Sequence, residues 1–241
     1  LAFMEMPEVT TATMTAKSTI TAPSTMSVFT AEDIKSMGSR TLVEVLEKVP
    51  GMIVRLRHTG GQGIGLRGIQ TYSSCDKYKM LVNGHAINAP LYSDFSDTYD
   101  MSLENVKQVE IVKGPGSALY GTNAFAGIIN VITYKPEEVK GLKVDGKYGS
   151  YDTVFGDLSL AKVFDNESQL SINVNRQQSN GADLKVERDG LYGTPFSIAS
   201  TRGMDEDYDR TQYSAEYIYK DFSFYASYMD LTVPYPVPIV G

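Results

Sequence analysis

Two patterns of apolar and polar residues meet in this chain, and the change falls close to Pro136. Beyond it the alternation has period two. Leu142, Val144, Gly146 and Tyr148 interleave with Lys143, Asp145 and Lys147, and Leu158 and Leu160 with Asp157 and Ser159. Leu170, Ile172 and Val174 interleave with Ser171, Asn173 and Asn175. Tyr213, Ala215, Tyr217 and Tyr219 alternate with Ser214, Glu216 and Lys220, and Phe222, Phe224, Ala226 and Tyr228 with Ser223 and Ser227. Such a pattern predicts strands with two unlike faces. Each segment approaches the ~9–11 residues that a tilted strand needs to cross a bilayer, whereas strands in general average about five or six. Length therefore favours membrane strands over half-buried soluble ones. The joins near residues 150–152, 165–168 and 220–221 are short. The join from 179 to 209 is long and carries the acidic run Asp205, Glu206, Asp207 and Asp209. Short turns opposite long loops are the habit of outer-membrane barrels, though the alternation here is incomplete.

Before Pro136 the signals are mixed. Residues 1–21, rich in Thr, Ala and Met, lack the periodicity of a packed element and read as an extended, mobile leader. Thr30 with Asp33, and Thr41 with Glu44, have capping-box spacing and predict two short helices. The second is the stronger, because Leu42, Val45, Leu46 and Val49 follow at helical spacing until Pro50-Gly51 stops them. Strand signals follow at residues 52–57, 64–68, 79–82, 109–112 and 127–133. Asn83-Gly84 predicts a type I′ hairpin turn. Residues 113–121 predict a tight turn with one helical turn. This half is α+β, with a small sheet and two or three short helices.

Charge follows the same division. Residues 1–140 carry 13 basic and 14 acidic side chains, and residues 141–241 carry 9 and 15. The acidic balance argues against nucleic acid as a partner. No stretch of 18 apolar residues predicts a transmembrane helix, and no signal-peptide core opens the chain, as expected of a mature exported protein. One cysteine, Cys75, excludes a disulfide framework and any multi-cysteine metal site. The chain has 16 Tyr and no Trp. Tyr148, Tyr151, Tyr213 and Tyr235, near the predicted strand ends, suit an interfacial girdle, and suit equally well ordinary amphipathic strand positions.

Residues 106–133, Val-Lys-Gln-Val-Glu-Ile-Val-Lys-Gly-Pro-Gly-Ser-Ala-Leu-Tyr-Gly-Thr-Asn-Ala-Phe-Ala-Gly-Ile-Ile-Asn-Val-Ile-Thr, resemble the plug signature of TonB-dependent outer-membrane receptors. Residues 42–51, Ile64-Gly-Leu-Arg-Gly68 and Met80-Leu-Val-Asn-Gly84 agree in order and spacing, and Gly149-Ser-Tyr151 looks like the end of the family's first barrel strand. The resemblance implies an α+β plug domain followed by antiparallel strands of a 22-stranded transmembrane β-barrel in the bacterial outer membrane. It also implies uptake of a scarce ligand (a ferric siderophore, cobalamin or haem), energised by TonB and its inner-membrane complex. Asn83-Gly84 stands where the family usually has Asp-Gly, a swap the turn tolerates. Lys113 stands where Arg is frequent, which keeps the charge but loses bidentate geometry. In the family Arg67 and the Lys113 position pair the plug with the barrel wall; a solvated cation at each is the plainer alternative. Residues 123–130 look like the siderophore, haem and cobalamin branch rather than the carbohydrate-importing one.

The resemblance divides the chain into a leader (1–21) with a possible TonB-binding segment, a plug (22–136) and about five barrel strands (137–241). The 107 residues after Tyr134 suffice for roughly eight strands. A barrel of that size is filled by its own side chains and cannot enclose a plug, so an incomplete portion of a larger barrel is expected. Strand reversal puts the loops at 58–63 and 88–99 on one side of the plug sheet. With the family's outward-facing apex, this makes His58, Gln62, Tyr92, Asp94 and Phe95 the candidate ligand contacts; each is also an acceptable solvated loop residue. The candidate TonB-pairing segment is Glu8, Val9, Thr10, Thr11 and Ala12, which precedes the plug and is locally extended; an unstructured leader competes with it. No catalytic constellation is present: His58 and His85 are far apart in sequence, and Cys75 has no nearby His. No enzyme activity, metal or cofactor is expected. A soluble plug-like binding module acting outside any barrel is the alternative reading.

Overall fold

The computed structural model describes residues 8–11, 17–18, 25–56, 62–70, 77–88, 101–139, 141–181, 183–184, 204–205 and 207–232. The described residues fall into two compact units, dividing between Tyr134 and Lys135.

In the first unit β1 (Glu8–Val9) pairs antiparallel with β2 (Lys17–Ser18). Strand β3 (Met26–Thr30) runs straight into α1 (Ala31–Ser36). Thr30 makes a full capping box there: its hydroxyl accepts from Asp33 N–H, and the Asp33 carboxylate takes the Thr30 N–H at 2.9 Å. Helix α2 (Leu42–Leu46) buries Leu42, Val43, Val45 and Leu46, but Thr41 gives it no side-chain cap. Thr41 is engaged instead in an isolated β-bridge with Ser102, and Glu44 reaches one residue further back, to the Arg40 N–H at 2.7 Å. The stronger-looking capping box is thus the one that does not form, because tertiary pairing claims its first residue.

Strands β4 (Met52–Leu56), β5 (Gln62–Leu66) and β6 (Ile69–Gln70) make a three-stranded antiparallel sheet. The main sheet has the order β3-β9-β10-β7-β8, with β7 at Tyr78–Val82, β8 at His85–Ala86, β9 at Val106–Lys113 and β10 at Gly127–Thr133. Strand β9 is antiparallel to β3 and β10, and β10 is parallel to β7. Asn83 and Gly84 have φ of 50° and 81°, the left-handed pair that a type I′ turn requires. Between β9 and β10 lies the single turn α3 (Ser117–Tyr120). Along the sheet's centre Val109, Ile111, Ile129, Val131 and Met80 are all buried on one face. The opposite face is half apolar, around Leu81, Val112, Ala124 and Ile128. Its other half is polar, with Gln108, Glu110 and Asn130 all buried.

The second unit opens with a helical turn, α4 (Pro136–Val139), and continues as an antiparallel meander. Its strands are β11 (Gly141–Gly149), β12 (Thr153–Val163) and β13 (Gln169–Ser179). After the short pair β14 (Asp183–Leu184) and β15 (Met204–Asp205) come β16 (Tyr208–Tyr219) and β17 (Phe222–Thr232). The five long strands have 9 to 12 residues each and are joined in the order β11-β12-β13-β16-β17. Tyr151 and Asp152 (φ 58° and 52°), Glu167 (67°) and Lys220 (53°) turn the tight joins. No helix among the described residues is long and apolar enough to cross a membrane, which does not bear on strands.

The faces of this meander are inverted relative to a soluble sheet. Its buried positions are Asp157, Ser159, Ser171, Asn173, Asn175, Gln177, Arg210 and Glu216. Its exposed positions include Leu142, Val144, Leu158, Leu160, Ile172, Tyr213, Phe222, Phe224 and Tyr228. One tyrosine departs from the expected girdle. Strand β16 begins at Tyr208, so Tyr213 lies mid-strand, paired across the sheet with Tyr228 at 6.3 Å between ring centroids. The polar start of β16 (Asp209, Thr211) has no apolar alternation by which to see it in advance. Tyr148 and Tyr151 do flank a turn on the exposed surface, and Tyr235 lies outside the described residues.

Candidate functional site

Arg67 and Gly68 form the turn between β5 and β6, both with positive φ (52° and 80°). The turn is held from two directions. Arg67 N–H donates to Gly51 O at 2.9 Å. The buried Tyr78 hydroxyl accepts from Leu66 N–H at 2.9 Å and donates to Ile69 O, one anchor on each side of the turn. The Arg67 side chain is left exposed. Lys113 closes β9, half-buried, with its N–H on Thr25 O at 2.8 Å. Gly127 packs between the two segments: a Cβ there would stand 2.7 Å from Val112 O and 3.0 Å from Leu66 Cδ2. Only glycine permits this approach, and it brings the segments carrying Arg67 and Lys113 to the same end of the sheet.

Of the candidate ligand contacts, His58, Tyr92, Asp94 and Phe95 lie outside the described residues. Gln62 begins β5, with its side chain outside them.

The candidate TonB-pairing segment has a defined seat on the plug. Glu8 and Val9 form β1, Thr10 is exposed, and Ala12 is outside the described residues. Val9 is 1% exposed and Thr11 0%. Thr10 N–H reaches both oxygens of the Glu110 carboxylate, at 3.3 and 3.2 Å, and Thr11 N–H donates to one of them at 2.8 Å. Gln108 Nε2 donates to the other at 2.7 Å. Asn130, directly across from Glu110 in the β9–β10 ladder, donates through Nδ2 to Thr11 Oγ1 at 2.9 Å. Its Oδ1 accepts from Gly84 N–H at 3.2 Å. Burial, and after it the Glu110 charge, pushes the Tyr120 phenol above its ordinary 10.0.

Sequence reasoning did not single out Gln108, Glu110 or Asn130. The signal was available: each interrupts an otherwise apolar strand, and a polar residue inside a buried strand needs a named partner. The partner could not be named without the register and the path of the leader.

In the second unit the polar face carries a buried arginine. Arg210 Nη2 donates to Asn175 Oδ1 at 2.7 Å and to Gln177 Oε1 at 3.2 Å. At the same end of β13 and β16, on the other face, Arg176 pairs with Asp209 at 2.7 Å and with the Thr211 hydroxyl at 2.8 Å.

Comparison with known proteins agrees with this architecture. Residues 18–128 match the TonB-dependent Receptor Plug Domain. The vitamin B12 transporter BtuB of Vibrio vulnificus is 30% identical over 171 residues, covering 69% of this chain and 27% of the transporter. The ferripyoverdine receptor of the Pseudomonas aeruginosa outer membrane, bound to ferripyoverdine, has the same fold at a TM-score of 0.69 and 16% identity, over 93% of this chain and 27% of that one. The ferric yersiniabactin uptake receptor FyuA of Yersinia pestis follows at 0.62 and 20% identity, over 86% and 31%. The chain thus spans about 27% of the length of the B12 transporter that it matches. Four ordered motifs, the matched plug and a fold shared across both units lead to one assignment: the chain belongs to the TonB-dependent outer-membrane receptors, of which it carries the plug domain and the antiparallel strands that follow.

Proposed function

We propose that this chain is part of a receptor that takes up a scarce small ligand across the bacterial outer membrane, with the plug gating a barrel of 22 strands and contributing to ligand binding. The observation that carries the reading is the inverted meander beside a plug: a sheet with polar buried positions and an apolar exposed surface suits a wall between lipid and an aqueous lumen. The ligand class is a ferric siderophore, cobalamin or haem. Relatives named for vitamin B12 and for ferric siderophores support the first two.

Within this reading His58, Gln62, Tyr92, Asp94 and Phe95 contact the ligand from the plug's apical loops. Arg67 and Lys113, brought to one end of the sheet around Gly127, pair with acidic groups of the barrel wall. Glu8, Val9, Thr10, Thr11 and Ala12 pair as a strand with TonB, main chain to main chain. The protein has no reaction of its own, and energy reaches it through TonB.

The direct test is binding of a panel of ferric siderophores, cobalamin and haem to the full-length receptor in detergent. Saturable binding of one member, weakened by Tyr92→Ala or Phe95→Ala, is the expected result. No binding by any member would overturn the ligand class. A full-length protein that is monodisperse in plain buffer would overturn the membrane reading in favour of a soluble binding module.

A further inference from the structure

The central strands of the plug sheet are apolar except where Glu110 and Asn130 face each other, and both are buried. A carboxylate withdrawn from water needs donors, since its desolvation is otherwise uncompensated. Two of the donors that Glu110 receives are main-chain N–H groups, of Thr10 and Thr11, about a hundred residues away in sequence. Successive N–H groups of an extended strand point to opposite sides. Their convergence on one carboxylate marks a tight turn just after β1, an anion-holding concavity of the backbone. Asn130 fixes the register by binding the Thr11 hydroxyl.

We propose that Glu110, Gln108 and Asn130 form an intramolecular clasp for main chain, which holds Thr10 and Thr11 in this turn and keeps residues 8–12 from pairing with another strand until it opens. The functional consequence rests on the reading of residues 8–12 as the TonB-pairing segment; the clasp itself rests on the geometry. The two states exclude each other. A partner strand needs Thr10 and Thr11 extended, with their N–H groups on opposite sides, whereas the clasp needs both on one oxygen pair. Opening therefore leaves a buried carboxylate and the Asn130 amide without these partners, so the clasp opposes release unless other groups or water replace them.

Hydrogen exchange at Thr10 in the full-length protein, with TonB's periplasmic domain as binding probe, tests this. Glu110→Gln keeps the shape but removes the charge that strengthens both bonds. Thr11→Pro removes one donor and leaves the sheet's own residues in place. Each is expected to speed exchange at Thr10 roughly tenfold, equivalent to about 1.4 kcal/mol, with β9 and β10 amides as protected as before. Glu110→Gln is also expected to bind TonB more tightly. Unchanged exchange at Thr10 in Thr11→Pro, with the sheet intact, overturns the clasp; this variant decides the matter even if Glu110→Gln does not fold. Faster exchange in Glu110→Gln without tighter TonB binding supports the clasp and overturns the reading of residues 8–12.

Discussion

At the scale of single residues, identical local signals have different outcomes because tertiary partners compete for them. Thr30 and Thr41 both open a Thr-x-x-acid stretch, yet only Thr30 caps its helix, Thr41 being held in a bridge to Ser102. Thr30→Ala is therefore expected to lower stability by about 1 kcal/mol. The same change at Thr41 carries no cap penalty, and denaturant unfolding of the pair gives the comparison. Tyr78 acts through distance rather than sequence proximity. Its hydroxyl joins β7 to both sides of the Arg67–Gly68 turn. Tyr78→Phe leaves a buried Leu66 N–H and Ile69 carbonyl without that partner, a loss of about 1–3 kcal/mol in plug stability. Exchange at Leu66 N–H should rise in step. Nothing in a single sequence marks Tyr78 for this role, because its partners are set by the packing of one sheet on another.

At the scale of elements, the period-two segments identified the strands, and the structure supplied which face each one buries. Periodicity alone is symmetric: it separates two faces without saying which meets water, lipid or protein. Strand length tipped that choice, and the burial of Asp157, Asn173, Asn175 and Arg210 beside exposed Leu158, Leu160 and Ile172 accords with it. Leu160 lies between Leu142 and Ile172 on the apolar face. Leu160→Arg is expected to cost about 2–4 kcal/mol if it lies at the bilayer midplane. The readout is the fraction of full-length protein assembled in membranes, which should fall. Ser159→Ala, on the opposite face, should leave assembly unchanged. Elements with little period of their own were less visible. The turn α4 after Tyr134 and the polar first half of β16 both lack an apolar stripe, and so β16 starts earlier and places Tyr213 mid-strand.

At the scale of the whole molecule, the chain divides into a plug with a recognisable signature and a meander that is recognisable only by its alternation. The plug motifs were legible because they are local. Asn83-Gly84 makes its turn through its own backbone preferences, and Gly127 is small where two segments meet. The candidate site was legible only in part. Arg67, Lys113 and the leader were marked by resemblance, while the ligand-facing residues remain an expectation of loop position. By itself the sequence determined the strands, the turns and the kinship of the plug, since these depend on residue order over a few to a few dozen positions. Only the tertiary structure decided that Thr10 and Thr11 rest on Glu110, and that Leu66 and Val112 close on Gly127. Such contacts join residues far apart in the chain. They depend on strand register and sheet packing, and a one-residue slip in either would remove them.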